Sequence, residues 1–174
     1  PRGILAACYR RLGILPQAKL AIDRALQIDC TDPFLHIEAM FINAGSTSVA
    51  RISRAARISL LRRTREDEQT LLEAAFDYGA IGMFEETLSV TRLIPRCGPL
   101  TLLLRAYACH QCGKVKEAKG ILRSACKKDI TNHNVWRLEM FDVLDWALTT
   151  LPKAPRLRFL LGNLLMARRR ASEA

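Results

Sequence analysis

Apolar and small residues recur along this chain at helical spacing, interrupted by glycine at matching places. In a first stretch Leu5-Ala6, Tyr9, Ala18, Ile22 and Ala25-Leu26 flank Gly13. In a second, Ala74-Ala75, Tyr78, Thr87 and Leu88 flank Gly82, and in a third Ala106, Cys109, Ala118, Leu122 and Ala125 flank Gly113. Each glycine has a small residue seven positions before it (Ala6, Ala75, Ala106) and another five positions after it (Ala18, Thr87, Ala118). This spacing predicts helical hairpins. The first helix ends near the glycine, which tolerates the left-handed backbone of a tight turn. The small residues let two helices cross closely, and larger apolar side chains fill the gaps around them. One hairpin cannot bury its own apolar face, so neighbours stack on it.

The stretches between these segments carry the same rhythm with a weaker signature. A helix is predicted from Pro33 to about Ala44, then a polar break at Gly45-Ser46-Thr47-Ser48, then a helix from Val49 to about Arg63. The second helix after Gly82 stops before Pro95. Residues Val135 to Leu151 read as one helix before Pro152, the second helix of a unit whose first helix is missing or deformed. At the end, Leu161-Gly162 and Leu165 match the middle of a first helix. Arg169 stands where the turn glycine belongs, and Ser172-Glu173-Ala174 match the opening of a second helix. The chain therefore reads as one helical-repeat domain over 1–174 with units at 1–32, 33–67, 68–98, 99–132, a degenerate 133–154 and a truncated 155–174. The expectation is a fragment of a longer protein, with uncapped apolar ends through which copies can associate.

Composition agrees with helices. Of 174 residues, 49% are hydrophobic and only 6% aromatic, with Leu, Ala, Arg and Ile prominent. Charged residues at 25% fit a globular chain rather than a disordered one. No run of about 18 apolar residues occurs, so a membrane span is not expected. Six cysteines without regular pairing, most on apolar helical faces, suit reduced thiols in a cytoplasmic setting.

The hairpin pattern resembles the tetratricopeptide repeat, a helix-turn-helix unit of about 34 residues. The first unit matches at Ala6, Tyr9, Gly13, Ala18 and Ala25, with Cys30 where the family usually has proline. The third keeps Tyr78, Gly82 and Phe84-Glu85-Glu86, with Thr87 where alanine is usual; the fourth keeps Ala106, Gly113, Glu117-Ala118 and Ala125. The resemblance implies an all-α right-handed solenoid of antiparallel hairpins, in about four and a half to five units, that binds through a concave face lined by first helices. On this chain those positions are Phe34, Ile37 and Phe41; Gln69, Leu72, Phe76 and Gly79; Leu100, Leu103, Tyr107 and His110; and Arg156, Phe159, Asn163 and Met166. They are mostly apolar. The version that grips a terminal carboxylate needs Lys and Asn there as charge-assisted donors, and only Asn163 fits.

A narrower resemblance rests on Arg137-Leu138-Glu139, Val143-Leu144-Asp145-Trp146-Ala147, Pro152, Pro155 and Leu161-Gly162-Asn163-Leu164-Leu165. It is to the C-terminal repeats of certain large prokaryotic proteins, in which the array follows a β-rich domain that looks related to carbohydrate-active folds. It implies the helical tail of a carbohydrate-related enzyme whose active site lies outside these residues.

Charge changes the picture less than its size suggests. The formal net charge is +10. Arg51, Arg54 and Arg57 recur every three residues on one predicted helix, extended by Arg62, Arg63 and Arg65. A second basic run is Lys114, Lys116, Lys119, Arg123, Lys127 and Lys128, and a third is Arg168-Arg169-Arg170. An RNA-binding module would interleave aromatics to stack bases, but none occurs between residues 42 and 75, where the arginines are densest. A solvated basic face, or one steering an acidic or amphipathic partner, is the simpler reading.

Candidate chemistry is thin. Cys109-His110-Gln111-Cys112 could give two thiolates to zinc, but a closed site needs four ligands and no second such pair exists. Buried thiols explain it better. His36, His110 and His133 have no triad or metal spacing. Glu139, Asp142 and Asp145 fall at three-residue steps and read as a solvated acidic stripe, while Trp136 and Trp146 read as core anchors. No catalytic residue, metal or cofactor is expected. The expected function is a non-catalytic protein-protein or interdomain scaffold whose apolar groove is formed by Phe41, Leu72, Phe76, Leu103, Tyr107, His110, Phe159 and Asn163. Its ligand would be another protein or the chain's own missing domain.

Overall fold

The computed structural model describes residues 2–131, 133 and 135–168. Among them the chain is all-α, with no strand. Helices α1 (Arg2–Arg11), α2 (Leu15–Ile28), α3 (Pro33–Ala44), α4 (Arg54–Arg63) and α5 (Glu68–Ala80) are followed by α6 (Phe84–Leu93), α7 (Pro99–Gln111), α8 (Val115–Ala125), α9 (Met140–Thr150) and α10 (Pro155–Ala167). No helix among the described residues is long and apolar enough to cross a membrane. The internal contacts fall into two compact units, one ending at Ala74 and the other starting at Ala75, inside α5. The sequence groups 1–174 as a single domain. In the first unit α1 packs with α2 and α3, and α3 packs with α2 and α4. In the second α7 packs with α6, α8 and α9, and α9 packs with α10.

Three hairpin turns are built alike. Gly13, Gly82 and Gly113 adopt φ of 75°, 73° and 76°. Each glycine N–H donates to the carbonyl three residues back, on Arg10, Gly79 and His110. The following N–H, on Ile14, Met83 and Lys114, donates to the carbonyl five back, on Tyr9, Tyr78 and Cys109, at 2.8–2.9 Å. This bond pair satisfies carbonyls that the helix end would leave bare. The same pair ends α3 at Gly45 (φ 58°) and α4 at Arg65, a non-glycine held at φ 53°.

The six small residues of the pattern, Ala6, Ala18, Ala75, Thr87, Ala106 and Ala118, are all 0% exposed. Thr87 adds a polar tie where alanine was expected: its Oγ1 lies 3.2 Å from the Ala75 carbonyl and 3.1 Å from that of Met83. Side chains open several helices. Asp32 accepts from Phe34 N at 2.8 Å ahead of α3, and Asp67 accepts from Thr70 N at 2.7 Å ahead of α5.

Two predicted helices differ. Val49 to Arg63 is not one helix: a 3-10 turn at Val49–Arg51 is followed by extended Ile52 (φ −77°, ψ 128°), and α4 begins after Ser53. Burying Ile52 (3% exposed) and capping the Ala56 N–H with Ser53 Oγ outweigh continuing the helix. The second difference lies at Val135, where no helix starts; α9 begins only at Met140. The residues just before it are tied down by Arg137, which donates to Asp77 and Glu139. Helix α9 packs on α7 as α3 packs on α1, so it takes the place of a first helix where the sequence suggests a second. Arg169 and 172–174 lie outside the described residues.

Candidate functional site

The second unit contains a pocket of about 340 Å³. Helix α5 supplies Phe76, Gly79 and Ala80, α6 supplies Phe84, and α7 supplies Leu104 and Tyr107. Leu138 and Glu139 close it from the segment ahead of α9, and Asp142 and Val143 from α9 itself. The Gly82 turn places Phe84 beside α5, because it reverses the chain within three residues of Ala80.

Aromatic rings build one wall. Phe84 and Tyr107 meet edge to face, with centroids 5.8 Å apart and planes at 84°. Tyr107 also meets Trp146 at 5.8 Å, and Trp146 stacks on His110 at 5.0 Å. Edge-to-face rings set a rigid right-angled corner. Burial first, and the nearby Asp142 charge in addition, push the Tyr107 phenol above its usual value, against a hydrogen bond with Gln111.

Charged groups form the rim. The Arg137 guanidinium stands 5.4 Å over the Phe76 ring, and its Nη2 donates to Asp77 at 2.9 Å and to Glu139 at 3.0 Å. Asp142 has no hydrogen bond or ion pair among the described residues. Asp77 and Glu139 thus share one guanidinium, and the two acidic residues that line the pocket, Glu139 and Asp142, stand in a chain that is positive overall.

The chain matches no family model. It matches no curated protein and no solved structure either.

The predicted groove residues separate into two groups. Phe41, Leu72, Phe76 and Leu103 are core, at 0–2% exposed. Phe41 lies beneath Arg10, whose guanidinium is 5.4 Å from its ring. Several first-helix positions counted from the turn glycines thus point into packed interior. Tyr107, His110 and Asn163 are half-buried, and Phe159 is exposed on α10. Only Phe76 and Tyr107 of the eight line the pocket. Its other walls come from a second helix (Phe84) and from the degenerate stretch (Leu138, Glu139, Asp142), which first-helix counting does not reach.

The basic run also divides. Arg51 sits on the 3-10 turn, apart from Arg54 and Arg57 on α4, so the three do not share one helix. Arg51 and Arg54 are exposed and Arg57 is half-buried.

Cysteines are less buried than their apolar surroundings suggest. Cys109 is buried, Cys8 and Cys30 are exposed, and Cys97, Cys112 and Cys126 lie between. Burial pushes the Cys109 thiol up to about 11, which makes it a poor thiolate donor at neutral pH. Trp146 packs against the cluster of Leu88, Ala108, Cys109 and Ala118, whereas Trp136 is 42% exposed and anchors no core.

Proposed function

We propose that this chain is a non-catalytic interaction module of tetratricopeptide-like hairpins, stacked as a right-handed solenoid. It holds a segment of a protein partner by receiving one side chain in the pocket of α5, α6, α7 and α9. The carrying observation is that pocket: a cleft of about 340 Å³, walled by Phe76, Phe84, Leu104, Tyr107, Leu138 and Val143, suits one large side chain. The repeated turns at Gly13, Gly82 and Gly113 support the family reading, because three separate sequences reach one backbone geometry.

Leu138 is the position that tests this reading. It is 59% exposed at the rim, so Leu138→Arg leaves the folded core intact. A random peptide library displayed against the immobilised chain should yield peptides sharing one anchor residue, and Leu138→Arg should lose them while its melting temperature stays unchanged. Recovery only of peptides that bind Leu138→Arg equally well would overturn the proposal.

A further inference from the structure

We infer that the anchor received by this pocket is a cation: a lysine or arginine side chain of the partner, its aliphatic stem on Phe84 and Tyr107 and its head at Asp142. This rests on the interaction-module reading and adds the chemistry of the partner.

The chain already uses this chemistry twice for itself. Arg10 stands 5.4 Å from the Phe41 ring and pairs with Glu38. Arg137 stands 5.4 Å from the Phe76 ring and pairs with Asp77 and Glu139. The pocket repeats the arrangement with one component missing. Two rings meet at 84°, a carboxylate stands beside one of them, and no cation among the described residues pairs with that carboxylate. Asp142 is near enough to Tyr107 to hinder its ionisation. A long basic side chain satisfies both surfaces, since its stem covers apolar rings while its head keeps polar contacts.

Other occupants fit less well. A purely apolar side chain would cover the rings but withdraw water from an unpaired carboxylate, which is unfavourable. An acidic side chain or a phosphate would meet Asp142 and Glu139 as like charges. The net charge of +10 does not reverse this, because fields beyond roughly 8 Å are screened at physiological salt and the nearby carboxylates outnumber Arg137.

Trp146, 5.8 Å from Tyr107, can report occupancy by fluorescence once Trp136→Phe removes the other tryptophan. The probes are the acetylated, amidated peptide Ala-Leu-Lys-Leu-Ala and its counterpart with norleucine for lysine. The lysine peptide should bind at least about fivefold tighter, with the preference shrinking as salt rises. Asp142→Asn, an exposed and nearly isosteric change, should abolish the preference by weakening binding of the lysine peptide. Equal binding of both peptides to the unaltered pocket would overturn the cationic anchor while leaving the interaction module standing. Binding of neither peptide to the folded protein would overturn both.

Discussion

Arg10 grips Glu38 at two points inside the first unit, Nε to Oε1 at 2.6 Å and Nη2 to Oε2 at 3.2 Å. The side chains are 8% and 0% exposed, and the pair ties α1 to α3 across 28 residues of sequence. Its partners are interdependent. Breaking a pair held this far from solvent by removing one member costs about 3–5 kcal/mol. Glu38→Leu alone should lower the urea midpoint strongly, whereas Arg10→Met combined with Glu38→Leu should recover most of the loss. Additive losses in the double variant would show that the two residues do not act as a pair.

Turn glycines and helix glycines should respond to alanine in opposite directions. Gly13, Gly82 and Gly113 hold φ of 73–76°, where an L side chain is strained, so each alanine variant should lose about 1 kcal/mol. Gly120 lies within α8, and a Cβ there meets nothing within 4 Å. Gly120→Ala should gain about 0.5–1 kcal/mol through reduced freedom of the unfolded chain. Denaturant titration of the four variants checks both signs.

Cys109 gives a pH dependence with a definite sign. Burial, with a smaller contribution from the Glu117 charge, raises its thiol from the ordinary 9.0 to about 11. The fold therefore retains a proton that the unfolded chain releases, and stability falls as pH rises from about 9 to about 11. Cys109→Ala should flatten that part of the stability profile. At neutral pH a maleimide should label exposed Cys8 and Cys30 well before Cys109, as read by peptide mass mapping.

Local signals in the sequence translated well into local structure. The glycine spacing located three turns, and Pro33 with the Gly45 break bounded α3, because proline at a helix start and glycine just past its end act through the backbone alone. The small residues at the crossings are all buried, as their spacing required. Where long-range contacts decide, the sequence misled. Ser53 as a cap was visible in principle, yet an unbroken run of helix formers after it masked the extended Ile52. The start of α9 depends on Arg137 reaching Asp77, 60 residues away, which no periodicity shows. Only part of the pocket was legible for the same reason. Of its ten lining residues Phe76, Gly79 and Tyr107 follow from counting, but Leu138, Glu139 and Asp142 arrive from a stretch without a repeat signature.

The three matched turns also separate duties that single residues often combine. All the bonds that reverse the chain are made by main-chain atoms, so the side chain after each glycine has no part in specifying the bend. Ile14, Met83 and Lys114 share one backbone state, with φ of −87°, −87° and −86°, while carrying three unlike side chains. At Ile14 and Lys114, which are exposed, such joints can change surface character, from aliphatic to cationic, without altering the path of the chain, whereas Met83 is buried. Lineages of such a protein can thus acquire new neighbours at the elbows while the arms stay where they are.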